Sequence, residues 1–252
     1  MAIRTIALNV FLDALRKKVL YVLLLFAGAL LLAIPVMPSF GVGVRVDLFR
    51  DMSLGLIALF GVVISVALGA NQVPGEVERR TVYNILSKPV QRAGFVGGKL
   101  LGVLLTMAVV TAVMAVVTFL ATAAYFDTVD PALLVAGWTI FLEVAVISAF
   151  VVMVSTFATP PVTVTLTTVF YFVGHVKAAF LGPMLQRGGA ALLPLRVIYY
   201  LVPDLEDLNV NGLVAHGATV PPLRVLEASV QGLLVVVAFL AIAAAVFQRR
   251  DI

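Results

Sequence analysis

Long apolar runs recur along the whole chain, separated by shorter polar passages. A helix rises about 1.5 Å per residue, so a stretch of about 20 apolar residues is long enough to cross the hydrocarbon core of a bilayer. Six runs meet this requirement, at residues 19–37, 52–73, 100–126, 132–156, 162–179 and 223–247. Pro and Gly residues punctuate the passages between several of them. The pattern therefore predicts an all-α integral membrane protein with six transmembrane helices.

Two further segments flank this set of crossings. Residues 2–18 carry two stripes at helical spacing, which predicts an N-terminal amphipathic helix lying in the membrane interface. The polar stripe consists of Thr5, Asn9, Asp13, Arg16 and Lys17, and the largely opposite apolar stripe consists of Ile3, Ile6, Val10, Phe11 and Ala14. Residues 181–222 mix Gly, Pro and acidic positions, which predicts short outer-side helices before the last crossing.

Composition excludes a soluble protein. Of the 252 residues, 62% are hydrophobic and only 12% are charged, whereas a soluble domain usually carries about a quarter charged residues. No long polar stretch interrupts the apolar runs, so residues 1–252 form a single transmembrane domain. The absence of Cys excludes disulfides and thiol chemistry, and two distant His residues indicate no metal site. We expect the net charge of +4 to serve contact with anionic lipids, and not with nucleic acid.

The distribution of Lys and Arg predicts the orientation of the chain. Cytoplasmic loops of membrane proteins carry an excess of these residues. Six crossings place both termini and the loop after the second crossing on one side, and this side holds eleven of the 17 basic residues. We therefore expect both termini to be cytoplasmic. The eleven are Arg4, Arg16, Lys17, Lys18, Arg79, Arg80, Lys88, Arg92, Lys99, Arg249 and Arg250.

The most polar passage of the chain is the cytoplasmic loop at residues 74–99. Its composition predicts a short surface helix that starts after Pro74 and Gly75 and stops at Pro89. Arginine side chains at its surface suit the carboxylates of a partner protein, although a loop that binds lipid headgroups would have a similar composition. The candidate partner-binding residues are Glu76, Glu78, Arg79, Arg80, Tyr83, Asn84 and Lys88.

Glycines at the end of this loop favour helix packing over nucleotide binding. Gly98 and Lys99 resemble part of a phosphate-binding loop, but the required Gly and Ser or Thr are replaced by Ala93 and Leu100. Gly94, Gly98 and Gly102 are spaced by four, which is typical of close contact between two helices in a membrane.

Glu143 is the one acidic residue near the middle of a predicted crossing. It lies about 15 Å into the fourth crossing, where a carboxylate costs several kcal/mol unless it is paired, protonated or hydrated. Candidate partners on the fifth crossing are Tyr171 and His175. Glu143 either lines a translocation path or joins two helices. No second carboxylate or nucleophile accompanies Glu143, so the sequence does not indicate that it is a catalytic residue. His175 and Lys177 are interpreted as interfacial anchors.

Several passages together resemble ABC-2 type permeases, especially the NosY-like group. The resemblance is carried by LGANQVPGEVERRTVYNILSKPVQRAGFVGGKLLG, and it extends through FLDALRKKVLYVLLLFA, FLEVAVISAFVVMVSTFATPP, FVGH, LVPDLEDLNVNG and FQRRD. It covers nearly the whole chain.

This resemblance implies a permease subunit of an exporter in a prokaryotic inner membrane. It implies a dimer with a second copy of the chain and two copies of a separate ABC ATPase, with the loop helix docked in a groove of the ATPase. ATP and Mg would bind to that partner, and the chain itself would hold no cofactor and catalyse no reaction. Two alternatives are a mechanical transmitter that acts on an envelope protein, and a membrane-embedded enzyme that uses Glu143 and His175.

Overall fold

The computed structural model describes residues 2–16, 19–36, 42–75, 92–186, 196, 199 and 202–249. These residues contain no β-strand, and the chain is an all-α membrane protein. A 3-10 turn at Glu206–Leu208 lies between the sixth and seventh helices of this part of the chain. In chain order the α-helices are α1 (Ala2–Arg16), α2 (Val19–Val36), α3 (Val42–Gly69), α4 (Arg92–Phe126), α5 (Ala132–Ser155), α6 (Pro160–Gln186), α7 (Asn211–Ala215) and α8 (Pro222–Gln248).

Each of the six predicted crossings coincides with one of these helices. Four segments are long and apolar enough to span a membrane within the described residues: Val44–Gly69, Ala93–Phe126, Ala132–Ser155 and Pro222–Gln248. The described part of α2 contributes a shorter apolar stretch, Tyr21–Ala33. The fifth predicted crossing lies within α6.

Two helices begin earlier than the hydrophobic pattern predicts. α3 starts at Val42, so most of the polar loop expected before Met52 is helical. This extension is stabilised at Arg50, which is buried and pairs with Asp130 across the bundle. α4 starts at Arg92, inside the loop predicted at residues 74–99, because α1 covers its first turns.

α5 is the central helix of the bundle, and it packs against α3, α4, α6 and α8. Of its apolar span 78% is buried, compared with 22% for α8. Small residues allow this close packing: Ser65 and Ser148 join α3 to α5 by a 2.8 Å hydrogen bond between their hydroxyls. A Cβ on Gly137 would lie only 2.5 Å from the Cβ of Ala115 on α4. A charged residue on a buried face of α5 therefore lies inside the protein, away from lipid.

α1 lies against the start of α4 and presents three distinct faces. Ala7, Val10 and Ala14 are buried, whereas the polar Asn9 and Asp13 are exposed. A third face carries the exposed apolar residues Leu8, Leu12 and Leu15. A helix with one face on protein, one polar and one apolar suits the boundary between water and lipid.

Candidate functional site

The site is built around Glu143, which α5 holds in the interior of the bundle. Glu143 is only 1% exposed, because α5 is covered by other helices on most sides. Its Oε1 atom lies 3.4 Å from Nε2 of His175 on α6. The structure thus brings together two of the three intramembrane residues selected from the sequence.

The third selected residue, Tyr171, orients the imidazole. Nδ1 of His175 is 3.1 Å from the backbone carbonyl oxygen of Tyr171, one helical turn earlier. The phenol ring of Tyr171 lies beside the imidazole, with 4.5 Å between the ring centroids. A carbonyl oxygen can only accept, so Nδ1 carries a hydrogen and donates it. Nε2 is therefore the nitrogen that faces Glu143.

The segment that follows α6 folds back onto the C-terminal half of that helix. The amide of Leu205 donates to the carbonyl oxygen of Gly174 at 3.2 Å. A Cβ on Gly174 would lie 2.6 Å from Cδ1 of Leu205, so the absence of a side chain at residue 174 permits this approach. Leu205 thereby packs directly on the backbone next to His175.

Lys177 holds the same segment in place, and its interpretation as an interfacial anchor is wrong. The side chain is 6% exposed, and Nζ donates to the carbonyl oxygens of Tyr199, at 3.2 Å, and Val202. Nζ also lies 3.8 Å from the carboxylate of Asp204. These partners satisfy the ammonium group inside the protein, so it does not extend to lipid headgroups or water.

The 3-10 turn at Glu206–Leu208 packs beside the site. It packs against α5, α6 and α8, and the carboxylate of Glu206 acts electrostatically on both Tyr171 and His175. A Cβ on Gly232 of α8 would contact Leu208 at 3.7 Å and Leu142 at 3.5 Å. The Glu143 and His175 pair is thus enclosed by α5, α6 and this turn.

This arrangement offers acid and base groups without a set of metal ligands. Within the described residues, no group of three or more His, Asp or Glu side chains is placed to hold a metal ion. One carboxylate facing one imidazole nitrogen can share a proton. The chemistry available to the pair is therefore binding or transfer of a proton.

The second candidate site is the loop predicted at residues 74–99, called the coupling loop below for its proposed role, and it lies mostly outside the described residues. This applies to all seven candidate partner-binding residues: Glu76, Glu78, Arg79, Arg80, Tyr83, Asn84 and Lys88. The structure does describe the helices on either side, α3 ending at Gly69 and α4 beginning at Arg92. The contacts of α4 therefore indicate which other helices would move together with this loop.

Glycines at the start of α4 receive α1 in direct contact, which confirms the predicted packing role of the glycine stripe. A Cβ on Gly98 would lie 3.0 Å from Ile6 and 3.2 Å from the carbonyl oxygen of Ile3. A Cβ on Gly102 would lie 2.5 Å from the Cβ of Val10. Only glycine permits this distance between the two helices, so α1 is held against the helix that follows the coupling loop.

The end of α8 meets the same part of α4. Phe95 and Phe247 stack with 5.6 Å between their ring centroids, and both are fully buried. Lys99 is 7% exposed and places its Nζ 5.7 Å from the centroid of the Phe95 ring. The first turns of α4 thus contact both α1 and the end of α8.

Comparison with known proteins supports the resemblance noted in the sequence. One family model, described as ABC-2 family transporter protein, matches residues 4–252. The match extends from α1 to beyond the end of α8, so it includes both candidate sites. No curated protein matches the chain.

Proposed function

Because the chain belongs to the ABC-2 family of transporter proteins, we propose that it forms half of the transmembrane path of an ATP-driven exporter. Family membership makes it a multi-pass membrane permease component of an ABC transporter, associated with an ABC ATPase. Permeases of this family are in general transport subunits without enzyme activity. The proposal adds a homodimer, two ATPase copies and cytoplasmic termini in a prokaryotic inner membrane.

The observation that carries this proposal is the family match over residues 4–252. The contacts of α4 support it, because the coupling loop leads directly into a helix that is packed against other parts of the bundle. In this proposal ATP and Mg bind to the partner, and the permease responds to movement of the partner.

The proposed movement passes from the coupling loop into α4. ATP binding draws the two ATPase subunits together and displaces the loop that contains Arg79 and Arg80. Because α1 packs against Gly98 and Gly102 and Phe247 stacks on Phe95, the first turns of α4 move together with α1 and the end of α8. The dimer interface then alternates between inward-facing and outward-facing forms.

Charge reversal in the coupling loop is expected to weaken docking of the ATPase. The R79E/R80E variant places two carboxylates where the partner is expected to offer carboxylates of its own. We expect affinity for the ATPase to fall about 30-fold, which corresponds to about 2 kcal/mol, together with loss of the ATPase activity that depends on the permease. Titration of the purified ATPase into permease in lipid nanodiscs measures both quantities.

The R249E/R250E variant is the matched control, because it also reverses two neighbouring arginines on the predicted cytoplasmic side. Its affinity for the ATPase is expected to stay within about threefold of the parent, since rim charges contribute little. Equal loss of affinity in both variants would show a general charge effect and would contradict docking through residues 76–88.

A further inference from the structure

The buried pair on α5 and α6 combines one hydrogen bond with one close contact between two ionisable groups. Nδ1 of His175 faces the carbonyl oxygen of Tyr171, and Nε2 faces Oε1 of Glu143. Nδ1 therefore keeps its hydrogen. We propose that Glu143 and His175 form a proton-binding site, in which one exchangeable proton between Oε1 and Nε2 holds α5 against α6.

Two arrangements of the proton satisfy this geometry, and both contain it once. Either the imidazole is protonated at Nε2 and donates to the Glu143 carboxylate, or the Glu143 carboxyl is protonated and donates to the lone pair of Nε2. The pair is electrically neutral in both arrangements. Without the proton, a lone pair of His175 faces a carboxylate, and the two groups repel each other.

Burial makes that deprotonated state unfavourable while His175 stays in place. Glu143 is 1% exposed, so a bare carboxylate there has almost no contact with solvent. The His175 side chain is 20% exposed, so the imidazole reaches the surface of the described bundle whereas Glu143 does not. Separation of α6 from α5 would relieve the charge by letting solvent reach Glu143.

The charges around His175 also favour the state with the proton bound. Within the described residues, the charges that act on His175 come from Glu143 on α5 and Glu206 on the 3-10 turn, and Tyr171 on α6 is a neutral phenol. The same two carboxylates act on the phenol of Tyr171. Lys177 is directed to Asp204 and to backbone carbonyls. In the arrangement with a protonated imidazole, the carboxylates of Glu143 and Glu206 therefore both favour the bound proton.

The histidine content of the chain makes this site accessible to spectroscopy. The chain has two His residues, so H216N leaves His175 as the single imidazole. We would label histidine with nitrogen-15 in this background and record solid-state NMR spectra in lipid nanodiscs across a pH titration. Infrared spectra of the same samples report a protonated carboxyl group.

The expected result is an Nδ1 that stays protonated at every pH. At low pH, either Nε2–H or a carboxylic acid band of Glu143 is present, and this signal disappears in one step as the pH rises. An unprotonated Nδ1, or the absence of both signals at every pH, would overturn the proposal. These spectra of the H216N protein decide the matter even if E143Q or E206Q does not fold.

Two variants separate this site from a purely structural contact. E143Q keeps the shape of the side chain but has no ionisable carboxyl group. The carboxylic acid band is therefore expected to be lost, and Nε2–H is expected only at lower pH than in the parent, because no carboxylate faces the imidazolium. E206Q removes a carboxylate that acts on His175 but leaves the 3.4 Å contact between His175 and Glu143 intact. The proton signal should therefore still disappear in one step as the pH rises. A pH dependence in E143Q that matches the parent, or loss of the proton signal in E206Q alone, would contradict the assignment to Glu143 and His175.

The link to helix contact needs a distance measurement. The chain has no Cys, so cysteines introduced at the exposed residues Leu134 on α5 and Val176 on α6 can be spin-labelled selectively. We expect the distance between the labels to lengthen as the proton leaves the parent, and to be independent of pH in E143Q. A distance that stays constant in the parent while the proton leaves would overturn the role in holding α5 against α6.

Discussion

Replacing Gly102 by Ala is expected to separate α1 from α4 and to weaken this contact by about 3 kcal/mol, the upper part of the usual range for overpacking. The new Cβ would lie 2.5 Å from the Cβ of Val10 and 2.8 Å from the carbonyl oxygen of Ala7. Neither atom belongs to a flexible side-chain end, so one helix must move as a whole.

G97A is the matched control for this substitution. Gly97 lies on the same helix, and a Cβ there would meet no atom of the described residues within 4 Å. Both variants gain the same helix propensity, about 1 kcal/mol, so their difference isolates the collision with α1. Spin labels on cysteines introduced at the exposed residues Asn9 and Leu105 measure the distance between the two helices. A narrow, parent-like distance distribution in G102A would contradict the packing described here.

Replacing Arg50 by Leu is expected to lower the free energy of unfolding by about 3 kcal/mol, because it leaves a largely buried carboxylate without its partner. The guanidinium lies 3.3 Å from Oδ2 of Asp130, and the two side chains are 9% and 23% exposed. Oδ1 of the same carboxylate accepts the amide hydrogen of Ala132 at 2.9 Å, at the start of α5. Loss of the pair therefore acts on both α3 and α5.

R224L provides the comparison, because Arg224 is exposed near the start of α8. Removing this charge should change the free energy of unfolding by no more than about 0.5 kcal/mol. Equilibrium unfolding in mixed detergent micelles measures both variants, and R50L/D130L should recover part of the lost stability. If R50L were no less stable than R224L, the buried ion pair would not stabilise the bundle.

The apolar runs predict the membrane-spanning helices because the solvent of the bundle imposes a minimum length on each of them. Their ends are predicted less well. α3 begins well before Met52 because Arg50 finds an acidic partner that is distant in sequence. Polar residues at the end of an apolar run predict a loop, and only knowledge of such a partner would show that the helix continues through them.

The candidate site could likewise be predicted only in part from the sequence. Counting residues along two antiparallel helices is enough to place Glu143 and His175 at a similar depth, and the structure brings them into contact. The burial of Lys177 could not be predicted, because its partners lie on a segment whose folding back depends on the contact between Gly174 and Leu205. The orientation of His175 depends on a backbone carbonyl, which leaves no pattern in the sequence.

The glycine stripe at the start of α4 is predictable as a packing motif, but its partner is not. A spacing of four residues indicates that one face of the helix is bare. It does not distinguish a second transmembrane helix from the N-terminal helix that Gly98 and Gly102 contact. Only the structure shows that these glycines join α1 to α4, the helix that follows the predicted loop at residues 74–99.

The most direct test of the proposed function is purification of the tagged chain from its native membrane under mild conditions. We expect a complex that contains two copies of this chain and two copies of an ABC ATPase identified by mass spectrometry, with ATP hydrolysis that vanadate inhibits. Recovery of the chain as a stable complex without any ATPase would contradict the account.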